Sequence, residues 1–290
     1  MPIDVHYLPS ADRSLWTEAV AKSDGLPIRE SGSWIHTKHN LLAYYADIFA
    51  SAMRKKFHNR VYLELFSGPG RCLVRTTGRE ELGSPLVVID HEFTKFIFAD
   101  IKAAAAEALA NRIECHPNAQ FAEIWCGDCA EVVQCLSIPI NSLTFAFIDP
   151  TGIGHLPFSL IESLHRKAPR CDLLINIQHG MGIKLNLHQY TPDAPEQSAL
   201  TRFLGTDSWK PLCGQSAREF LRGVLNIYKA RLSHLGFAFV GESVPIRSDK
   251  RNLPLYLLFY ASQHSRGADF WRQARRGVLG REFEFDQSSP

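Results

Sequence analysis

The sequence predicts an α/β fold built on a parallel sheet with helices on both faces, and three observations point to it. Apolar runs of strand length alternate with segments of helical character. A long amphipathic helix precedes the first of those runs. Each of the first four runs ends in an acidic or glycine-bearing turn, where open parallel sheets bind their ligands.

The 290 residues are 45% hydrophobic, enough to bury a sizeable core in one large domain or two small ones. A net charge of +2 with 21% charged residues neither demands nor forbids a nucleic-acid partner. Seven cysteines lie without metal-ligand or secreted-scaffold spacing, and no apolar stretch has the length of a signal peptide or membrane span. A soluble cytoplasmic protein without membrane association is the expectation.

Taken in order, Ser33 to Lys56 sets Ile35, Leu41, Leu42, Tyr45, Ile48, Phe49 and Met53 at helical spacing. This long helix closes an N-terminal helical extension, residues 1–60. Strands are predicted at Val61–Phe66, Phe96–Asp100, Gln120–Cys126, Thr144–Asp149 and Asp172–Gln178. Helices are predicted between them at Ser84–His91, Lys102–Arg112, Cys129–Leu136 and Pro157–Lys167, from strong helix formers and from prolines suited to a first turn. From Gly180 to Gly214 periodicity fades into Gly, Pro, Asn and Thr, predicting an insertion of about 180–215 with little regular structure, placed as a lid over the C-terminal edge of the sheet. A helix at Ala217–Leu235 and strands at Phe237–Pro245 and Pro254–Ser262 complete an α/β domain over 61–265. A basic-aromatic tail, 266–290, is predicted helical from Ala268 to Arg276.

The chemistry concentrates at the strand ends. The first strand runs into "LELFSGPG", where Gly68 and Gly70 let the backbone approach a ligand and Glu64 offers an anionic acceptor. The second ends at Asp100, the third at Gly127 and Asp128, and the fourth at Asp149-Pro150. Acids here disfavour a phosphate, and Gly70 is followed by Arg71-Cys72 rather than the Lys-Ser/Thr of a P-loop. A dinucleotide fingerprint needs glycine where Leu73 stands, which disfavours a nicotinamide-dependent dehydrogenase. S-adenosylmethionine carries a sulfonium, an ammonium, hydroxyls and an amine, all of which prefer carboxylates and carbonyls.

The ordered set "HTKHNLLAYY", "YLELFSGPG", "GSPLVV", "FIFAD", "GD" and "FIDPTG", spanning about residues 34 to 178, resembles the three-Cys-motif partner family (TcmP). It is more distantly similar to the bacterial methyltransferases that modify an adenine amino group of large-subunit ribosomal RNA. Both resemblances imply the Rossmann-like, seven-stranded class I methyltransferase fold with S-adenosylmethionine as methyl donor. They imply that Lys38 and His39 reach the cofactor, that Gly68 and Gly70 face its methionine part with Ser84 beside it, and that Phe66 and Ser67 also belong to the cofactor-binding set. Asp100 would accept from the ribose hydroxyls, Asp128, next to Gly127, from the adenine amine, and Asp149 would stand beside the methyl group. The first family further implies a protein partner bearing a three-cysteine motif. Thr151-Gly152 departs from the second family's Pro-Tyr and leaves no stacking aromatic at that place.

Plainer readings stand beside these. Gly68 and Gly70 can serve a tight turn, Lys38 and His39 a solvated helix face, Ser84 a helix N-cap, and Asp149-Pro150 a strand stop. Cys126 and Cys129 read as small buried hydrophobes. If Asp149 is functional, its task is to accept a hydrogen bond from the attacking group and to position it, with Pro150, His155 and Asn176 as further substrate-side candidates. No Pro-Cys pair exists for cytosine C5 chemistry. Basic and aromatic residues interleave in Met53 to Arg60 and in the tail, at Phe270, Trp271, Arg272, Arg275, Arg276 and Arg281, which makes nucleic acid the leading substrate class. The alternative is a catalytically reduced methyltransferase-fold subunit serving a partner.

Overall fold

The computed structural model describes residues 3–178, 183, 190–195, 197–241, 243–247 and 254–286. In chain order these form strands β1 (Val5–Tyr7) and β2 (Arg29–Ser31), helix α1 (Ile35–Met53), strands β3 (Arg60–Leu65), β4 (Arg71–Val74) and β5 (Arg79–Leu82), and the short helix α2 (Ser84–Val88). There follow β6 (Lys95–Asp100), α3 (Ala103–Ile113), β7 (Ala122–Cys126), α4 (Cys129–Cys135), β8 (Leu143–Ile148), α5 (Phe158–Lys167) and β9 (Cys171–Ile177). The chain closes with α6 (Ala199–Leu204), α7 (Ala217–His234), β10 (Phe239–Val240), β11 (Val244–Arg247), β12 (Pro254–Ser262) and α8 (Ser265–Asp286).

The main sheet runs β1-β7-β6-β3-β8-β9-β12-β10, with β11 also paired to β12. All neighbours from β1 to β9 are parallel; β12, β10 and β11 are joined antiparallel. Side chains alternate between two buried layers, as a strand's period of two requires. On one face Val61, Leu63, Ile97, Ala99, Ala146 and Ile148 pack with α4, α5, α6 and α7. On the other, Tyr62, Phe96, Phe98, Phe145 and Phe147 pack with α1, α3 and α8. This aromatic layer receives the stripe of α1 that carries Leu41, Leu42, Tyr45, Phe49 and Met53. The order turns back at β3, which pairs with both β6 and β8, so the topology places a ligand crevice beyond its C-terminal end.

The predicted strands at 61–66, 96–100, 144–149 and 172–178 each lie within a residue of the observed ones, and the strand predicted over Gln120–Cys126 begins at Ala122, after a 3-10 turn at Ala119–Phe121. Several expectations are corrected. The segment before α1 is not purely helical: β1 adds to the sheet edge beside β7, and β2 joins β4 and β5 in a separate three-stranded sheet. These strands are three or four residues long, too short to announce themselves by periodicity. The helix expected over Ser84–His91 stops at Val88. The strand expected over Phe237–Pro245 is split, because Gly241 adopts φ +98° and donates its amide to the Tyr260 carbonyl.

Of the expected lid, residues 180–182, 184–189 and 196 lie outside the described residues. Part of the rest is packed: Leu200, Phe203 and Leu204 of α6 and Trp209 are fully buried in the layer beside α7. The tail is also part of the core. α8 extends beyond the expected Ala268–Arg276 and buries Trp271 against Tyr45 and Tyr260. Trp271 is therefore not free to stack on bases, and the Arg281 side chain lies outside the described residues.

Gly127 tests the seating of β1. A Cβ there would lie 2.8 Å from Leu8 Cβ and 3.0 Å from Ser10 Oγ. Gly127→Ala is expected to lower stability by about 1–3 kcal/mol through overpacking. Denaturant titration measures this, with amide exchange increased at residues 5–10; an unchanged midpoint would contradict the close approach.

Candidate functional site

Past β3 the chain turns through Phe66, Ser67, Gly68, Pro69 and Gly70, and three of these, Phe66 (φ +67°), Gly68 (φ +64°) and Gly70 (φ +85°), are left-handed. Glycine takes this conformation without strain, whereas a bulky aromatic at positive φ is an outlier that its surroundings must enforce. They do so from three sides. The Ser67 amide donates to the Ala99 carbonyl (2.8 Å), the Gly68 amide to Asp100 Oδ2 (2.8 Å), and Arg112 Nη1 to the Pro69 carbonyl (2.5 Å). Arg112 also grips Asp24 and the Pro27 carbonyl, tying the N-terminal segment to the turn. Nothing in the sequence distinguishes this arginine from an ordinary helix end.

The turn is one wall of a crevice of about 970 Å³ at the C-terminal ends of the parallel strands. Its lining brings together Lys38, His39, Phe66, Ser67, Gly68, Gly70, Ser84, Asp100, Asp128, Asp149, Pro150, His155 and Asn176 of the residues expected from sequence. Two expected residues stand apart. Gly127 is placed by its contact with the N-terminal segment. Glu64 lies behind Ser84, fully buried, where it accepts from Ser84 Oγ (2.5 Å) and Tyr62 OH (2.8 Å). Burial pushes its carboxyl up to about 8, against the help of those two donors. The expected exposed anion is thus a buried acid that holds its proton at neutral pH. Ser84 does not cap α2 either; Gly83 holds the N-cap position and the serine hydroxyl serves Glu64.

Asp100 uses both oxygens on backbone: Oδ2 receives the Gly68 amide and Oδ1 the Lys102 amide (2.9 Å). Asp128 caps α4 through the Ala130 amide (2.8 Å) and is otherwise exposed to the crevice. Each carboxylate oxygen has capacity for a second donor, so both acids can still receive a ligand's hydroxyls or amine.

At the far side stands a part-buried ion pair. Lys38 Nζ reaches Asp149 Oδ2 at 2.5 Å from a helix more than 100 residues away, while Asn176 Nδ2 donates to Oδ1 at 2.6 Å. Burial would raise the Asp149 carboxyl, but the Lys38 ammonium outweighs it and holds the group below the usual range; burial likewise opposes, and Asp149 reverses, the shift of Lys38, which is raised. His39 is pushed down to about 3 by burial and by the neighbouring Lys38, so its ring is neutral. Asp149 is therefore an anion with both oxygens occupied, fitted to orient a partner and poorly fitted to take its proton. Thr151 Oγ1 and His155 Nδ1 pair at 3.0 Å on the outer lip.

Four buried polar atoms on residues of this lining lack a hydrogen-bond partner among the described residues: Ser67 Oγ, Asn176 Oδ1 and the Nε atoms of Arg29 and Arg71. Native proteins seldom leave such atoms unsatisfied without a ligand or water to meet them. The lining also holds residues that the sequence reading missed, chiefly Trp34 and Tyr256, whose rings lie 6.1 Å apart, and Arg29, Arg71, Arg75 and Arg202. Arg29 and Arg71 sit on the small sheet, which no periodicity revealed. Among the described residues, no group of His, Cys, Asp and Glu is arranged to hold a metal, and no helix is long and apolar enough to cross a membrane.

No family model matches the sequence, and no curated protein matches it. Among solved structures, protein LPL1258 from Legionella pneumophila, assigned to family model DUF519, is similar at 10% identity over 83% of this chain and 91% of that one, with a TM-score of 0.51. The O-methyltransferase TomG from Streptomyces achromogenes, solved with S-adenosylmethionine, is similar at 12% identity over 83% of both chains (TM-score 0.47). An rRNA methylase from Streptococcus thermophilus is similar at 13% identity over 79% of this chain and 96% of that one (TM-score 0.40). At such identities the likeness is one of fold. That fold is Rossmann-like, mixed α/β, with a large parallel-dominated sheet.

Proposed function

We propose that this chain is an S-adenosylmethionine-dependent methyltransferase acting on a nucleic-acid base. The observation that carries the reading is the crevice at the sheet's switch point, where a glycine cradle and two carboxylates with spare acceptor capacity face the orphaned Ser67 and Asn176 oxygens. This donor and acceptor set fits a cationic ligand with hydroxyls and amines. Gly68 and Gly70 would border the methionine part with Ser67 and Ser84, Asp100 would hold the ribose hydroxyls, and Asp128 the adenine amine. Bound there, the cofactor supplies a methyl group on a positively charged sulfur.

The chain's own contribution is then positional. Lys38 keeps Asp149 ionised, Asn176 fixes the carboxylate's rotation, and the free Asn176 Oδ1 offers a hydrogen-bond acceptor to the incoming group. Holding a nucleophile in line with the methyl carbon is worth several kcal/mol of barrier. Nucleic acid is favoured because Trp34 and Tyr256 provide the aromatic surface that Thr151-Gly152 lacks, with arginines in the same lining to meet phosphates. The motif departure at Thr151-Gly152 also favours a second reading, a catalytically reduced subunit that serves a three-Cys-motif partner protein.

The test is calorimetry with S-adenosylhomocysteine, followed by transfer of labelled methyl into RNA, DNA and protein fractions. Micromolar binding with label in nucleic acid is the expected result. Binding without label in any fraction, with or without the partner, would leave only the second reading, which predicts partner binding that survives Asp149→Ala; no binding would end the first.

A further inference from the structure

The two basic-aromatic stretches noted in the sequence, Met53 to Arg60 and the beginning of the tail, meet in space at the end of the sheet opposite the crevice. They border a cavity of about 780 Å³ at the N-terminal ends of β3, β8 and β9. Its walls are apolar, from Phe49, Met53, Phe57 and Phe270. Lys56, Arg170 and Arg266 contribute its cations, all on exposed residues, and among the described residues none of the three enters an ion pair. Arg170 Nη1 touches Asn141 Oδ1 (3.1 Å), and the Lys56 ammonium lies over the Phe57 ring at 5.6 Å, so neither charge is neutralised.

The one acid in the lining, Asp172, is buried and already engaged. Its Oδ2 accepts from Tyr45 OH (2.5 Å) and Tyr260 OH (3.3 Å). Gly267 allows α8 to close over this polar floor, since a Cβ there would stand 2.6 Å from both Asp172 Oδ2 and Tyr260 OH. The cavity is therefore graded, with uncompensated cations on exposed residues and apolar walls above a floor whose acid is already satisfied. That grading matches a molecule with an anionic end and a flat apolar body.

We propose that this cavity binds a nucleotide unit, with the phosphate on Lys56, Arg170 and Arg266 and the base within the apolar walls. The site is separate from the crevice and does not depend on the methyltransferase reading. A nucleotide of a single strand and a free nucleotide share this chemistry, and the experiment separates them.

The protein is titrated with AMP, adenosine, inorganic phosphate and a single strand of about eight nucleotides, and substitutions at Lys56 and Arg266 distinguish this cavity from the crevice whether or not the crevice binds S-adenosylhomocysteine. AMP is expected to bind saturably and about tenfold more tightly than adenosine or phosphate, since one charge-assisted contact is worth that factor. Lys56→Ala and Arg266→Ala, both on exposed residues, are each expected to weaken AMP roughly tenfold while leaving the melting temperature unchanged. A strand that binds more tightly than AMP assigns the site to nucleic acid; equal affinity assigns it to the free nucleotide. AMP affinity that is absent, or indifferent to both substitutions, overturns the proposal.

Discussion

Asp149→Asn is expected to lower stability by about 3–5 kcal/mol and to reduce methyl transfer by at least about 100-fold, and the two losses should come apart in a second background. The substitution keeps the side chain's shape and leaves an oxygen for Asn176 Nδ2, so packing alone predicts little change. What it removes is the counterion of Lys38, whose side chain is only 14% exposed. A buried ammonium without its partner costs far more than the pair was worth. Lys38→Met removes that charge, so Lys38→Met/Asp149→Asn should be more stable than the sum of the single losses implies, with a coupling of about 2 kcal/mol or more. Under the proposed function, transfer should not return in the double variant, because the anion proposed to orient the acceptor is still missing. Chemical denaturation of the four proteins and a transfer assay read both quantities. Additive stability losses would show that the pair is not coupled, and full activity of Asp149→Asn would remove Asp149 from the reaction.

Glu64→Gln is expected to raise stability at pH 8 and to abolish a slope between pH 6.5 and 8. Glu64 titrates near 8 when folded and near 4.5 when unfolded. Between these values the unfolded chain has lost the proton that the folded chain keeps, so stability falls as pH rises, and it levels off above about 8. At lower pH other groups interfere. Asp172 is raised to about 6 and adds a fall of the same sign, while His39, lowered to about 3, makes stability fall as pH drops below its ordinary value. At pH 6.5 neither has finished titrating, because His39 of the unfolded chain titrates near 6.5 and folded Asp172 near 6, so the Glu64 contribution is read as the difference in slope between the parent protein and Glu64→Gln. The expected loss there is about 1.4 kcal/mol per pH unit, about 2 kcal/mol across the window. Urea titration at several pH values measures it. An identical slope in Glu64→Gln would mean that the group responsible lies elsewhere.

The strands were legible because their residues are apolar for reasons local to each segment. Runs such as Phe96 to Ala99 must be buried on both faces, and that shows without knowledge of the neighbours. The acids closing the strands were legible too, since an ionisable residue at the end of a buried run stands at a chain turn. Charge state was not legible. Glu64 and Asp100 each follow a buried stretch, yet burial leaves the first protonated while backbone amides engage both oxygens of the second. The aromatic tail misled in the same way: Trp271 looks like a stacking surface until Tyr45 and Tyr260 cover it.

By itself the sequence determined the alternation of strand and helix, the glycine turn after β3 and the set of acids along one edge, because these follow from hydrophobic period and local backbone freedom. Only the tertiary structure decided that Lys38 neutralises Asp149, that Arg112 braces the glycine turn, and that β2 and β4 line the site. Each of these joins residues distant in the chain, and the energy of a charge or a short strand depends on what surrounds it rather than on what precedes it.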